Sequence, residues 1–127
     1  MISVDTSTWI AFLQGEGGED SDLLDRAFQD RLVLMAPAVL TELLSDPALP
    51  QETAKFLGDL PLIELEAGYR ERVGRPRAKV LAKRRKARLG DALIAQCCAD
   101  REVPLLTRDK EFRAYAEASG LRLVIGS

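Results

Sequence analysis

Short, mainly apolar segments recur along the chain and predict five β-strands. Residues 32–36, with the sequence Leu-Val-Leu-Met-Ala, contain no polar residue, as expected for a strand that is covered on both faces. The lengths of these segments also suit strands rather than helices. The predicted strands are residues 2–4, 32–36, 60–65, 104–106 and 121–125.

Segments in which apolar residues follow helical spacing lie between the predicted strands. In residues 21–30, for example, Leu23, Leu24, Ala27 and Phe28 fall on one face of a helix. Such a face packs against a sheet or another helix, so these segments are predicted to cover the strands. The predicted helices are residues 9–13, 21–30, 37–44, 51–57, 89–101 and 109–119.

The segment between residues 66 and 88 has the least regular pattern. A helix is expected to begin near Glu66 and to be interrupted at Gly74 and Pro76, because proline lacks a backbone donor and clashes with the preceding helical turn. The basic run of residues 83–86 has no apolar face and is predicted to be a loop or a frayed helix end.

The alternation of strands and helices predicts the fold class. It is typical of an α/β protein in which one parallel sheet, here of about five strands, carries helices on both faces. A length of 127 residues suits one domain, residues 1–127. Right-handed crossovers place the carboxyl ends of the strands at one edge of the sheet, where α/β proteins bind their ligands.

The composition limits the chemistry that the chain can perform. It contains no histidine, which excludes Ser-His-Asp and Cys-His catalysis and nucleases that use histidine as acid and base. The two cysteines, Cys97 and Cys98, are neighbours on a predicted helix, where they point apart and are expected to pack in the core. Hydrolytic chemistry would therefore depend on carboxylates, together with a metal ion.

Charge is unevenly distributed along the chain. The net charge is −2, but residues 69–88 carry 10 basic side chains and one acidic side chain. Such a basic segment hints at a polyanionic partner. The apolar segments are far shorter than the ~20 residues of a membrane span, and no signal peptide is recognised, so a cytoplasmic protein with no membrane partner is expected.

Four carboxylates are the candidate site residues. Asp5 follows the first predicted strand, Asp109 follows the fourth, and Asp91 opens the helix between them. Each of these aspartates alone is explained by helix capping or by the helix dipole. Glu42, inside a helix, has no capping role and alone would be a surface residue. Together, carboxylates that meet at one edge of a sheet would suit a hard divalent cation.

The sequence also resembles a known family. The similarity is to PIN domains, and more narrowly to the VapC toxins of prokaryotic toxin–antitoxin pairs, and it covers essentially the whole chain. It is carried by Val4-Asp5-Thr6-Ser7, Glu42-Leu43-Leu44, Asp91-Ala92-Leu93-Ile94-Ala95, Leu106-Thr107-Arg108-Asp109-Lys110 and Phe112, in this order.

The resemblance implies a metal-dependent endoribonuclease with Asp5, Glu42, Asp91 and Asp109 as its acidic site. Asp5, Asp91 and Asp109 would hold Mg²⁺ or Mn²⁺, and Glu42 would act directly or through a water molecule. Thr107 matches a hydroxyl that is often found beside the site. Many relatives carry an aspartate two residues beyond the position of Asp109, where this chain has a glutamate, Glu111. The resemblance further implies an RNA substrate, a cognate antitoxin and a homodimer.

The basic segment is the candidate RNA contact. Arg84, Arg85 and Arg88 are the preferred residues because they lie nearest to Asp91 in sequence, and their contacts with phosphates would make binding depend on salt. A solvated face or a contact surface for a protein partner explains the same residues equally well.

Two rival functions remain at this point. A phosphoacceptor receiver domain is also doubly wound, but it needs adjacent acids near the first strand, where this chain has only Asp5. A PIN-like domain that has lost catalysis and serves as an RNA- or protein-binding module is the second rival. Metal-dependent RNA cleavage separates both from the nuclease.

Overall fold

A parallel sheet of three strands lies at the centre of the fold in the computed structural model, which describes residues 1–125. Its strands are β1 (Ser3–Val4), β2 (Leu105–Thr107) and β3 (Leu123–Ile125). The described residues form seven helices: α1 (Thr6–Leu13), α2 (Glu19–Gln29), α3 (Pro37–Leu44), α4 (Gln51–Gly58), α5 (Tyr69–Ala82), α6 (Leu89–Asp100) and α7 (Phe112–Ser119).

The strand order places the ends of β1 and β2 side by side. The order is β1-β2-β3 with all pairs parallel, and Val4 pairs with Leu106 in the register of the sheet. The backbone N–H of Asp5 donates to the carbonyl of Leu106, which extends this pairing by one step. The residues that follow both strands therefore start from the same edge of the sheet.

The prediction of about five strands is wrong, because two of the predicted strands are reduced to single bridges. Val33 pairs in parallel with Ile2, and Met35 pairs in parallel with Leu62, each at one position only. The ladder cannot continue there, since Pro61 has no N–H to donate and α3 begins at Pro37. These extended segments continue the sheet beyond β1 without forming strands.

The central strand β2 is covered on both faces, whereas Val124 and Ile125 of the edge strand β3 are exposed. Successive side chains of a strand point to opposite faces, and all three residues of β2 are buried. The helix α6 lies in the middle of the helical layer, in contact with α3, α5 and α7, and it is buried on more than one side. Cys97 and Cys98 of this helix are both buried, as the sequence predicts.

The helix α5 is continuous through Gly74 and Pro76, so the predicted interruption is wrong. Pro76 costs the helix one hydrogen bond, but α5 packs against α6 and α7 through the buried residues Val73 and Val80. Tertiary packing outweighs the local preference. The basic run that follows, residues 83–86, is a turn that leads into a loop, in agreement with the predicted loop or frayed helix end.

The turn after α5 ends the helix in a Schellman motif. Arg84 has a left-handed backbone with φ 58°, its N–H donates to the carbonyl of Leu81, and the N–H of Arg85 donates to the carbonyl of Val80. These bonds fix the start of the basic run against the end of α5.

The helix α7 begins later than predicted. Its first residue is Phe112 and its N-cap is Glu111, so Asp109 is not the capping residue. In residues 1–125, no helix is long and apolar enough to cross a membrane.

Candidate active site

Asp5 lies directly after β1 and is fixed by three hydrogen bonds. Its Oδ1 accepts from the backbone N–H of Thr8 at 3.0 Å, which caps α1. Its Oδ2 accepts from the hydroxyls of Ser7 at 3.0 Å and Thr107 at 2.8 Å. Only 3% of the residue is exposed. Since an ionised carboxylate has about four acceptor sites, Oδ1 keeps one lone pair for a further ligand.

Thr107 joins the ends of β1 and β2. This fully buried residue donates its hydroxyl to Asp5 and accepts the backbone N–H of Asp109 at 2.9 Å. The Oδ1 of Asp109 in turn accepts the backbone N–H of Glu111 at 2.9 Å, which closes a tight turn before α7. The Thr107 hydroxyl thus positions both the Asp5 carboxylate and the backbone of Asp109.

Glu42 reaches the site from α3. Its Oε1 accepts the hydroxyl of Thr6 at 2.7 Å. Its carboxylate faces the first turn of α6, where a Cβ on Gly90 would lie 3.3 Å from Oε2. The glycine next to Asp91 therefore leaves room for Glu42.

Asp91 lies in the first turn of α6 and is affected by the other three predicted carboxylates. Its pKa is raised from 3.8 to about 6, first by burial and then by the charge of Asp109, with smaller contributions from Glu42 and Asp5. Arg88 partly offsets this rise. Asp5, Glu42 and Asp109 are therefore close enough to Asp91 to affect its ionisation.

The tightest group of carboxylates differs from the predicted metal ligands. Asp91, Asp109 and Glu111 each place one carboxylate oxygen within 4.8 Å of the other two, whereas Asp5 lies outside this group. Sequence reasoning left the role of Glu111 open. Its position two residues after Asp109 is the signal that points to it.

The donor set fits a divalent cation. Mg²⁺ and Mn²⁺ prefer oxygen ligands, and carboxylates supply them. Without a cation these groups repel one another, and the charge of Asp109 adds to the effect of burial in opposing the ionisation of Asp91. A cation at Asp91, Asp109 and Glu111 would offset that repulsion.

Arg108 and Asp20 support the site and were missed by sequence reasoning. The Arg108 guanidinium makes a bidentate contact with the buried Asp20 carboxylate, with 2.9 Å between Nη2 and Oδ1, and holds the pKa of that carboxyl below its usual value. The backbone N–H of Arg108 donates to the hydroxyl of Thr8. The segment that carries Asp109 is thereby tied to α1 and α2.

Tyr115 is another neighbour that the sequence did not reveal. Its ring is buried and its hydroxyl donates to the carbonyl of Arg88 at 3.4 Å. The pKa of Tyr115 is raised by burial and then by the charge of Asp91. This residue packs beneath the start of α6.

The predicted RNA contacts occupy three different positions. Arg84, Arg85 and Arg88 are all exposed. Arg85 lines a groove beside α7, Arg84 is the left-handed residue of the turn, and Arg88 caps α6 close enough to lower the pKa of Asp91. Their role in binding RNA stays a prediction.

Comparison with protein-family models matches residues 2–118 to the family described as PIN domain. Comparison with curated protein sequences finds no match.

Solved structures share the fold over nearly the whole chain. VapBC2 from Rickettsia felis, bound to a DNA fragment from its promoter, matches with a TM-score of 0.76 and 20% identity over 98% of each chain. DNA-bound VapBC from Salmonella typhimurium matches with a TM-score of 0.72 and 18% identity over 98% of each chain. VapBC-5 from Mycobacterium tuberculosis matches with a TM-score of 0.69 and 19% identity, over 98% of this chain and 97% of that one.

Proposed function

The chain belongs to the PIN domain family, and from this premise we propose that it is a metal-dependent endoribonuclease, the toxin of a type II toxin–antitoxin pair. Its one domain, residues 1–127, would hydrolyse RNA phosphodiesters with carboxylate-held Mg²⁺ or Mn²⁺. The observation that carries this proposal is the approach of Asp5, Glu42, Asp91 and Asp109 to one edge of the sheet.

The residues of the site take distinct roles in this proposal. Asp91, Asp109 and Glu111 would hold the cation, and Asp5, whose carboxylate still has a free acceptor site, would contribute to the same site. Glu42 acts directly or through a water molecule. A divalent cation in this site would lower the pKa of a water molecule and offset negative charge at the scissile phosphate.

Hydrogen bonds fix the orientation of the site residues before a substrate binds. Thr107 and Ser7 hold the Asp5 carboxylate in one orientation, so little reorganisation is needed when a substrate arrives. The Arg108–Asp20 contact holds the segment that carries Asp109. Thr107 is therefore proposed as a positioning residue, since it reaches the reaction only through Asp5 and Asp109.

Partners belong to the same proposal. The similar solved structures are toxin–antitoxin complexes, which supports a cognate antitoxin for this chain. A homodimer and a cytoplasmic location complete the proposal.

Cleavage of RNA is the direct test of this function. Purified protein incubated with total cellular RNA should produce fragments with 5′-phosphate and 3′-hydroxyl ends when Mg²⁺ or Mn²⁺ is present, and none with EDTA. Ligation-based mapping of both ends makes the measurement. Fragments that end in a 2′,3′-cyclic phosphate, or cleavage that persists in EDTA, would contradict the proposal. RNA binding without cleavage would instead identify a catalytically silent binding module.

The contribution of Asp91 to the stability of the metal-free protein should fall as pH rises from about 4 to about 7. The pKa of Asp91 is higher in the folded chain, so the folded chain binds more protons than the unfolded chain between 3.8 and about 6. The free energy of unfolding contributed by this group is thus present below pH 3.8 and lost as pH rises through about 6. The full shift corresponds to about 3 kcal/mol, and solvent screening of this partly exposed carboxylate reduces it to about 1 kcal/mol.

Urea denaturation in EDTA measures this effect as the difference between the wild type and Asp91→Asn. The variant should equal the wild type near pH 4 and exceed it by about 1 kcal/mol at pH 8. Mg²⁺ should raise the stability of the wild type at pH 8 and leave the variant unchanged. Asp22→Asn is the matched control, since Asp22 is an exposed aspartate in the first turn of α2. A difference that does not vary with pH would contradict the proposed electrostatics.

A further inference from the structure

A groove rich in basic side chains lies beside the carboxylate group. It encloses about 610 Å³. Four cations line it: Arg85 and Lys86 from the turn after α5, and Lys110 and Arg113 from the start of α7. We call this surface the cationic groove.

The cationic groove adjoins the candidate active site, because the two share Glu111. Glu111 lines the groove, and its carboxylate also belongs to the tight group with Asp91 and Asp109. A nucleic-acid strand with one phosphate beside these carboxylates would therefore place a neighbouring phosphate in the groove.

The cations of the groove are available to a ligand. In the described part of the chain, Lys86, Lys110 and Arg113 form no ion pair with a carboxylate. Arg85 contacts only Glu117, at 3.8 Å, and both side chains are more than half exposed. Such an exposed pair is weak and is readily exchanged for a phosphate.

The groove is held in place on both sides. The Schellman motif fixes the backbone of Arg85 to the end of α5. On the other side, the turn of Asp109 and Glu111 leads into α7, which is anchored by the fully buried ring of Phe112. The cations therefore project from backbone that is ordered before any ligand binds.

We infer that the cationic groove binds the RNA backbone next to the scissile phosphate, with Lys86, Lys110 and Arg113 contacting phosphates. This inference rests on the proposed nuclease function and assigns the path of its substrate. Arg85 joins them once it releases Glu117. Basic side chains beside the carboxylate group favour a polyanion. Its chain would extend into the groove from the phosphate that the metal ion contacts. An acidic protein segment is the alternative ligand, and the binding measurements described next distinguish it from RNA.

The salt dependence of RNA binding tests this assignment. The probe is a fluorescein-labelled 12-nucleotide oligouridylate, measured by fluorescence anisotropy in EDTA between 50 and 300 mM KCl. In the triple variant Lys86→Ala/Lys110→Ala/Arg113→Ala, the slope of log K against log salt should be shallower by about 2, because each phosphate contact with a single strand contributes about 0.7. Affinity at low salt should fall accordingly.

A control with the same change in net charge distinguishes contacts from general electrostatics. Arg26, Lys55 and Arg122 are exposed, lie outside the groove and form no ion pair in residues 1–125. Their triple alanine variant should keep the wild-type slope. Equal slopes in the two triple variants would overturn the inference. So would a groove variant that keeps RNA binding and loses binding of a labelled polyglutamate peptide.

The assay for cleavage keeps this inference separate from the proposed function. If the wild type cuts RNA and the groove variant raises KM by about tenfold with little change in kcat, both proposals hold. If the wild type cuts RNA and the groove variant matches it in KM and in salt slope, only the path assigned here is wrong. If the wild type never cuts RNA, the nuclease proposal itself fails.

Discussion

Asp91→Asn should lower the rate of RNA cleavage at least about 100-fold, since even the loss of a residue that merely supports a metal ligand costs 10- to 100-fold. The substitution keeps the shape of the side chain and removes the charge on which cation binding depends. Asp91 makes no side-chain hydrogen bond within residues 1–125, so the fold loses no partner. It is therefore a cleaner test than Asp5, which accepts three hydrogen bonds.

Single-turnover cleavage of RNA at saturating Mg²⁺ measures this effect. Asp22→Asn serves again as the control, because it loses the same charge from the first turn of a helix outside the site. It should cut at the wild-type rate. If Asp91→Asn also cuts at the wild-type rate while folded, the assignment of the site is wrong.

Thr107→Val should destabilise the fold by about 2–3 kcal/mol and slow cleavage by about 10- to 100-fold. The substitution is nearly isosteric, so it leaves no cavity in this fully buried position. It removes the donor to Asp5 Oδ2 and the acceptor of the Asp109 N–H. The N–H of Asp109 then loses its partner and the Asp5 carboxylate loses one of its three donors. Such losses at a buried position cost more than the loss of an exposed hydrogen bond.

Urea denaturation and cleavage assays on two further variants complete this test. Thr107→Ser keeps the hydroxyl and should recover most of the cleavage rate. Thr41→Val makes the same change at an exposed position of α3 and should alter stability by less than about 0.5 kcal/mol. If Thr107→Ser cuts RNA as slowly as Thr107→Val, the hydroxyl has no positioning role.

The fold class was predictable because its signals are local. Apolar segments and helical spacing identified the strands that became β1, β2 and β3 and most of the helices. The number of strands was not predictable, because pairing depends on the partner segment. Met35 and Leu62 meet at one bridge only, since Pro61 cannot donate and α3 starts soon after. The continuity of α5 through Pro76 likewise depends on packing against α6 and α7.

The candidate site was predictable to a smaller extent. Asp5 and Asp109 follow strand segments, so their shared edge could be expected from a parallel sheet. The contact between Arg108 and Asp20 joins residues 88 positions apart, and no spacing rule reports such a pair. The turn after α5 and the start of α7, which together form the cationic groove, are also separated in sequence, by the whole of α6 and β2.

The sequence by itself determined the α/β class, the absence of histidine chemistry and the acids that follow the strands, because each depends on residue type and short-range periodicity. Only the tertiary structure decided which carboxylates stand together, that Glu111 joins Asp91 and Asp109, and that basic side chains flank them. The reason is physical: burial and electrostatic repulsion act between atoms that are close in space, whatever their separation along the chain.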